Sequence, residues 1–395
     1  MANVSELIER QPKGSTLLQE FYRDPEVFRR DIERIHLQRW LCVGHASRVA
    51  KRGDFFVFDV ADESFLIIRG RDDRIRAFAN VCRHRGSHVC YEKEGHVRAL
   101  VCPYHGWTYD LDGRLRSARM SDGHVDPDRY SLKPVHLEVV EGLLLMCCAE
   151  QPPDLSDVRE VVGHTAGHYG WARAKVAHRA IYSVDANWKL ATENYQECYH
   201  CAPAHPEFSV AHLTAKPDAE VAQLRAEAAK RAAAMGIEIP DVTRWPNAPN
   251  GGEGVTSSYD AFKPGTVTGS QDGQPVAPLM GDFREYDGGF SYMDIGPASF
   301  YLAYPDHGMM YLFIPREAQR TDMEIIWLVD ENAREGEDYD LARLTWLWDV
   351  TSIADKTIID HNQRGVNSHY YEPGPYLPME AQTRAFVEWY LGEIA

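Results

Sequence analysis

The spacing of apolar residues changes several times along the chain, and each change predicts an element. Residues 17–45 repeat apolar positions at helical intervals and end in Trp40-Leu41-Cys42-Val43. Residues 54–60 and 64–69 then read as strands, the turn Gly70-Arg71-Asp72-Asp73 leads into a third at 75–78, and Asp112-Gly113 marks a hairpin. The run 143–148, Leu-Leu-Leu-Met-Cys-Cys, reads as the last buried strand of a small antiparallel β unit. Gln151-Pro152-Pro153-Asp154 follows as a linker, because consecutive prolines cannot continue a sheet.

The second half has a different rhythm. Residues 187–200 predict a helix ahead of the breaker Pro203, and Ala-rich residues 216–236 predict an exposed amphipathic one. Residues 246–282, rich in Gly, Pro, Asn and Ser, predict an irregular stretch, either a functional cover or disordered. Strands are expected at 299–304, 309–314 and 323–329, and a long helix at 339–366 with Leu341, Leu344, Trp348, Ile359 and Val366 near one stripe.

At 395 residues the chain is long for a single core, so two or more domains are expected. Its 59 acids against 42 bases give a net charge of −17, which disfavours nucleic acid and anionic membrane as partners and suits a cationic small molecule or a basic patch on a redox partner. No run of about 18 apolar residues occurs, and Met-Ala-Asn-Val-Ser-Glu is not a signal pattern, so a cytoplasmic location is expected. The eight cysteines are scattered, which favours metal ligation for two and reduced packing for most others, Cys198 and Cys201 included. No Gly-rich phosphate loop precedes a helix, so NAD and flavin belong on a separate NAD(P)H-dependent reductase.

Two short pairs carry the first chemistry. Cys82-Arg83-His84 and Cys102-Pro103-Tyr104-His105 are separated by the seventeen residues between His84 and Cys102. Zinc also accepts two Cys and two His, but a zinc finger groups like with like, whereas here each loop offers one thiolate and one imidazole. Mixed loops can grip two different irons, one by two thiolates and one by two imidazoles, in a [2Fe–2S] cluster that stores one electron at a time. The flanking Arg85-Gly86 and Gly106-Trp107 make the segments resemble the C-x-H-R-G and C-P-Y-H-G-W signatures of the Rieske family over roughly residues 38–150.

A second constellation lies at 187–206. Glu197 and His200 are three apart and share a helix face, while His205 falls beyond the helix end, where the chain can aim a second imidazole at the same point. Two imidazoles and one carboxylate make the facial triad of a mononuclear non-haem iron(II) site with open positions for O2. Asp355 is the expected third ligand because it lies on the apolar stripe of the long helix, where a lone carboxylate is costly and a cation compensates. The rivals Asp349 and Asp360 stand about 120° and about 140° round an ideal helix from it.

Taken whole, the chain resembles the α subunit of a Rieske non-haem iron oxygenase. Asn187 to Pro206 is similar to the family's N-W-K … E-N-x-x-E-x-Y-H-x-x-x-x-H-P segment, and Ala354 to Gly365 to its E-D-x-x-I-x-E-x-N-Q-x-G segment, with Ala354 and Asp360 as departures. The resemblance implies an α+β fold: an antiparallel β Rieske domain at 38–150, and a helix-grip catalytic domain, a curved antiparallel sheet around a long helix, at 1–37 and 151–395. It assigns a Rieske cluster to Cys82, His84, Cys102 and His105, and iron to His200, His205 and Asp355. It makes Glu197 the acid bridging a Rieske histidine of one subunit to the iron-binding histidine of the next, in a head-to-tail homotrimer.

The family's betaine, carnitine and stachydrine monooxygenase group is the nearest in kind. The features that resemble it are glutamate as the bridge, Gly336-Glu337-Asp338-Tyr339-Asp340, Gly374-Pro375-Tyr376 and Phe386-Val387-Glu388-Trp389-Tyr390. The implied reaction hydroxylates a C–H bond beside nitrogen, giving oxidative N-demethylation or C–N cleavage. Phe290, Tyr292, Phe300, Tyr301, Tyr304 and Tyr311 are available for cation–π contact with a quaternary ammonium. The alternatives are dihydroxylation of an aromatic ring and, in another class, a non-catalytic zinc- or cluster-stabilised binding module.

Overall fold

The computed structural model describes residues 4–121, 123–214, 216–244 and 251–395. Among these, the first half builds an antiparallel sheet in the spatial order Leu41–His45, Leu143–Cys147, Pro134–Val140, Ile75–Ala79, Glu63–Arg69, Asp54–Val60, Glu94–His96. A small three-stranded sheet of Leu100–Val101, Thr108–Tyr109 and Leu115–Ser117 sits beside it. The second half forms another antiparallel sheet, ordered Lys175–Val184, Arg320–Val329, Gly308–Glu317, Ser299–Ala303, Gly289–Ile295, Val255–Ala261, Val242–Arg244. The fold is α+β, as expected.

Side-chain alternation in the central strand Gly308–Glu317 explains the layering. Met310, Leu312 and Ile314 join a core shared with the first sheet through Trp40, Phe58 and Leu145. Met309, Tyr311 and Phe313 point the other way, into a core closed by Trp188, Leu344, Trp348, Phe386 and Tyr390 from the helices. A strand covered on both faces has no polar side to spare, which is why it reads as an unbroken apolar run.

The long helix Leu341–Val366 packs on Lys175–Val184 and on the helix Trp188–Tyr195. It starts where the Asp340 carboxylate accepts the Arg343 N–H at 2.8 Å. Asn187 caps the shorter helix by accepting from the Lys189 N–H at 3.1 Å, while its own N–H donates to Gln363 Oε1 at 2.9 Å. One residue thus starts one site-bearing helix and ties it to the other.

Three expectations need correction. The 17–45 segment is not one helical run: it forms Gln19–Arg23, Pro25–Asp31 and a π-helical turn Ile32–His36, and Leu41–His45 is a strand paired with Leu143–Cys147. The helix at 187–200 stops at Tyr195. The 246–282 stretch contains the paired strand Val255–Ala261, though 262–288 is irregular and 246–250 lie outside the described residues.

Behind the shorter helix, Lys189 and Asp31 form a fully buried ion pair, to which Trp188 Nε1–H and the Tyr390 hydroxyl also donate, at 3.0 and 2.8 Å. Glu193, one turn on, is held by the Tyr22 hydroxyl at 3.0 Å, and burial pushes its pKa up to about 8. The folded chain therefore keeps a proton there that the unfolded chain releases near the ordinary carboxyl value, so stability falls as pH rises through that window. Glu193→Gln should remove this slope: urea denaturation at pH 5 and pH 8 should show the variant gaining roughly 3 kcal/mol relative to the parent chain between the two pH values.

Candidate active site

The two Cys/His loops share one construction. In each, the cysteine carbonyl accepts the N–H of the glycine four residues on, Gly86 to Cys82 and Gly106 to Cys102, both at 3.0 Å. The cysteine N–H in turn donates to Ser87 O in the first loop and to Trp107 O in the second, both at 2.8 Å. Both glycines have positive φ, +78° and +71°, which closes the five-residue loop. The unequal Cys-to-His spacing is absorbed inside loops of equal length.

The donors sort themselves by depth. Cys82 and Cys102 are buried, whereas His84 is exposed and His105 half-buried, with their Nδ1 atoms 3.1 Å apart. Burial raises the Cys102 thiol pKa, the N–H groups of Tyr104 and His105 act against that, and Tyr109 Oη lies 3.3 Å from Cys82 Sγ. Trp107 stacks on His84 with centroids 4.9 Å apart. Two inner sulfurs served by N–H and O–H donors, with two outer imidazoles turned towards each other, fit a cluster of two irons with unlike ligands.

Some distance along the chain, His200, His205 and Asp355 bring one ligand atom each to within 4.8 Å of one another. Nε2 of His205 lies 2.9 Å and that of His200 3.4 Å from Asp355 Oδ1. Burial opposes ionisation of Asp355, but the two imidazoles outweigh it and hold its pKa below the ordinary value. Burial likewise opposes a charged His200, yet Asp355 and Glu197 together lift its pKa to about 9. The rivals are spoken for: Asp349 accepts from the Tyr182 hydroxyl, and Asp360 from the Asp185 N–H and Lys356.

Glu197 reaches His200 by a turn. Its Oε1 accepts from His200 Nδ1 at 2.5 Å, and its Oε2 accepts from the backbone N–H of Tyr199 and of His200. With Nδ1–H engaged by Glu197, Nε2 is the nitrogen that faces Asp355, and a metal there would take its lone pair in place of the proton. His205 Nδ1 has Glu207 Oε1 3.3 Å away but outside hydrogen-bond geometry. Cys198 and Cys201, expected as reduced packing residues, are joined in a disulfide, and Cys198 is exposed.

Comparison with known proteins agrees with this geometry. Residues 39–127 match the Rieske [2Fe-2S] domain family and residues 171–394 the family of the ring hydroxylating alpha subunit (catalytic domain). The glycine betaine monooxygenase oxygenase subunit of Pseudomonas aeruginosa is 36% identical over 98% of this chain and 90% of its own length. The chain belongs to the Rieske oxygenase α-subunit family. The carnitine monooxygenase oxygenase subunit of Escherichia coli K12 is 36% identical over 49% of this chain and 53% of its own length. A solved quaternary ammonium Rieske monooxygenase, described in connection with carnitine oxidation and inter-subunit electron transfer, superposes with a TM-score of 0.73 at 23% identity over 96% of both chains. The cofactors of this oxygenase subunit are a Rieske [2Fe–2S] cluster and mononuclear iron, with O2 as co-substrate.

In the oxygenase subunit the three converging donors sit in a cavity of about 420 Å³. Tyr195, Phe208, Phe290, Tyr292 and Trp348 supply aromatic surface, and Arg225, Ser258 and Asp260 also line it. Of the six aromatics expected from sequence, Phe290 and Tyr292 reach the cavity, while Phe300, Tyr301, Tyr304 and Tyr311 are buried in the core. Tyr195, Phe208 and Trp348 were missed, although Trp348 lies two helical turns before Asp355 on the same face. No helix among the described residues is long and apolar enough to cross a membrane.

The loop construction is testable through its glycines. A Cβ on Gly86 meets nothing within 4 Å, so Gly86→Ala strains φ without a clash. The cost should be about 1 kcal/mol or somewhat more, read as visible cluster absorbance bleaching a few degrees lower than in the parent oxygenase.

Proposed function

We propose that this oxygenase subunit uses O2 and electrons from a separate NAD(P)H-dependent reductase to hydroxylate a C–H bond next to nitrogen in a small quaternary ammonium, betaine-type substrate. The observation that carries this reading is one cavity joining a two-imidazole, one-carboxylate donor set to five aromatic side chains. Aromatic faces attract a cation that has no hydrogen-bond donors, which is the recognition problem a quaternary ammonium sets. The 36% identity to a glycine betaine monooxygenase subunit across nearly the whole chain supports the same substrate class.

In this reading residues 38–150 are the electron-storing domain, and residues 1–37 with 151–395 are the oxygen-activating one. Cys82 and Cys102 hold one iron of the cluster, His84 and His105 the other, and His200, His205 and Asp355 hold the mononuclear iron. Iron(II) there, with open coordination positions, supplies O2 activation beside the substrate. His200 and His205 fix the direction of approach, Asp355 balances charge, and the aromatic walls hold the N-methyl carbon in place. One oxygen atom enters the C–H bond while two electrons and two protons reduce the other to water. The carbinolamine then loses its hydroxyl proton to solvent as its C–N bond breaks, the nitrogen keeps the electron pair of that bond, and formaldehyde leaves.

Glu197 is the electron bridge in this reading. An ionised carboxylate offers about four acceptor sites, and His200 Nδ1, His200 N and Tyr199 N use three. The fourth suits an imidazole from a neighbouring subunit. Among the described residues no hydrogen bond, ion pair or ring contact joins the His84/His105 tip to the Glu197/His200 turn within the chain. A head-to-tail homotrimer supplies that contact by setting one exposed histidine tip against the next subunit's turn. A cytoplasmic location, where NAD(P)H is made, suits the reductase requirement.

Purified protein with a reductase and glycine betaine should release formaldehyde in step with O2 uptake; a diol formed from an aromatic substrate, with no formaldehyde from methylated amines, would replace this reading by ring dihydroxylation. Asp355→Ala should lose the mononuclear iron and turnover while keeping the reduced cluster's paramagnetic resonance spectrum. Glu197→Gln should slow product formation from pre-reduced protein about 10- to 100-fold and leave cluster reduction by the reductase unchanged. Equal rates in that experiment would remove Glu197 from the electron path.

A further inference from the structure

The cavity is chemically lopsided. At its closed end the side chains of His205 and Asp355 are 2% and 4% exposed; elsewhere along its wall, Arg225 is 44% exposed. Arg225 is the one Lys or Arg among the described residues lining the cavity, against three acids, Glu197, Asp260 and Asp355. It comes from the helix Asp218–Ala234, which the sequence marks only as an exposed amphipathic element.

Asp260, on the strand Val255–Ala261, holds this arginine by one edge. Nε donates to Asp260 Oδ1 at 2.6 Å and Nη2 donates to the same oxygen, while Asp260 Oδ2 accepts from the Ser258 hydroxyl at 3.4 Å. Nη1 donates to nothing among the described residues. A guanidinium has five N–H donors, so the edge formed by Nη1 and the second Nη2 hydrogen is left for a planar anion. Arginine anchored through one edge loses less freedom when the other engages, which is the arrangement for recognising a carboxylate.

We propose that Arg225, oriented by Asp260, binds the carboxylate of a zwitterionic ammonium substrate at the open side of the cavity and so sets which end of the molecule faces the iron ligands. The proposal rests on the betaine-type reading above and deepens it: Arg225 selects N-methylated amino acids over ammonium compounds that lack a carboxylate. Arg225 touches substrate remote from the reacting carbon, so it determines specificity and orientation.

Isothermal titration of the anaerobic holoenzyme with glycine betaine and with choline, which carries no carboxylate, tests this directly. Arg225→Gln should weaken glycine betaine binding about tenfold or more and raise KM in parallel, with the choline constant unchanged as the internal check that the cavity is intact. Arg225→Lys should recover part of the loss, because the charge returns without the fork. Equal weakening of both ligands, or glycine betaine turned over with an unaltered constant in Arg225→Gln, overturns this proposal and leaves the betaine reading standing. Failure of every carboxylated ammonium ligand to bind the parent protein overturns both.

Discussion

A carboxylate set among apolar side chains is the constraint around which the catalytic half is organised. Asp355 lies on the buried stripe of a 26-residue helix, between Ser352 and Ile359, and is 3% exposed. Left alone, an ionised carboxyl in such a place costs several kcal/mol or takes up a proton. Here two Nε2 atoms converge on one of its oxygens, so positive charge is the expected company at that point. The helix must therefore sit at a fixed height and rotation relative to the segment carrying the histidines, and the Asn187–Gln363 contact ties it to the helix that leads into that segment.

The cluster half meets a related demand by different means. Its donors sit on turns at the edge of a sheet, so their geometry comes from loop closure: a carbonyl of each cysteine captures the glycine N–H four residues on. Small tight loops leave the sulfurs inside and the imidazoles at the surface without further help. A cluster held by these four donors would be insulated on its thiolate side and open on its imidazole side, which would give electron exit a direction.

Legibility in the sequence followed the range of the interactions. The Cys/His pairs stand out in the sequence because the candidate donors lie within one short stretch, and the convergence of Asp355 on the two histidines was legible because helical phase carries reliably over several turns. The strand Leu41–His45 was hidden by its neighbours: an apolar run after a helix keeps helical spacing by chance, and its pairing with Leu143–Cys147 lies about a hundred residues away. Val255–Ala261 was hidden by polar composition, since Ser257, Ser258 and Asp260 look like loop residues until their partners in Gly289–Ile295 are known. Arg225 and Phe208 belong to the cavity only through tertiary placement, and no local period marks them.

The helix expected at 187–200 failed for a reason that bears on chemistry. In a continuous helix the N–H groups of Tyr199 and His200 would be tied to carbonyls four residues back, leaving Glu197 only a side-chain neighbour of His200. Stopping at Tyr195 frees those N–H groups, and the Glu197 carboxylate takes them in the manner of an N-cap two and three residues ahead. The same carboxylate then has its second oxygen positioned for His200 Nδ1. A capped turn fixes this acid by three donors from consecutive chain, whereas a helix would have left it on a flexible stem, so the broken helix is what makes Glu197 rigid enough to set the tautomer of His200.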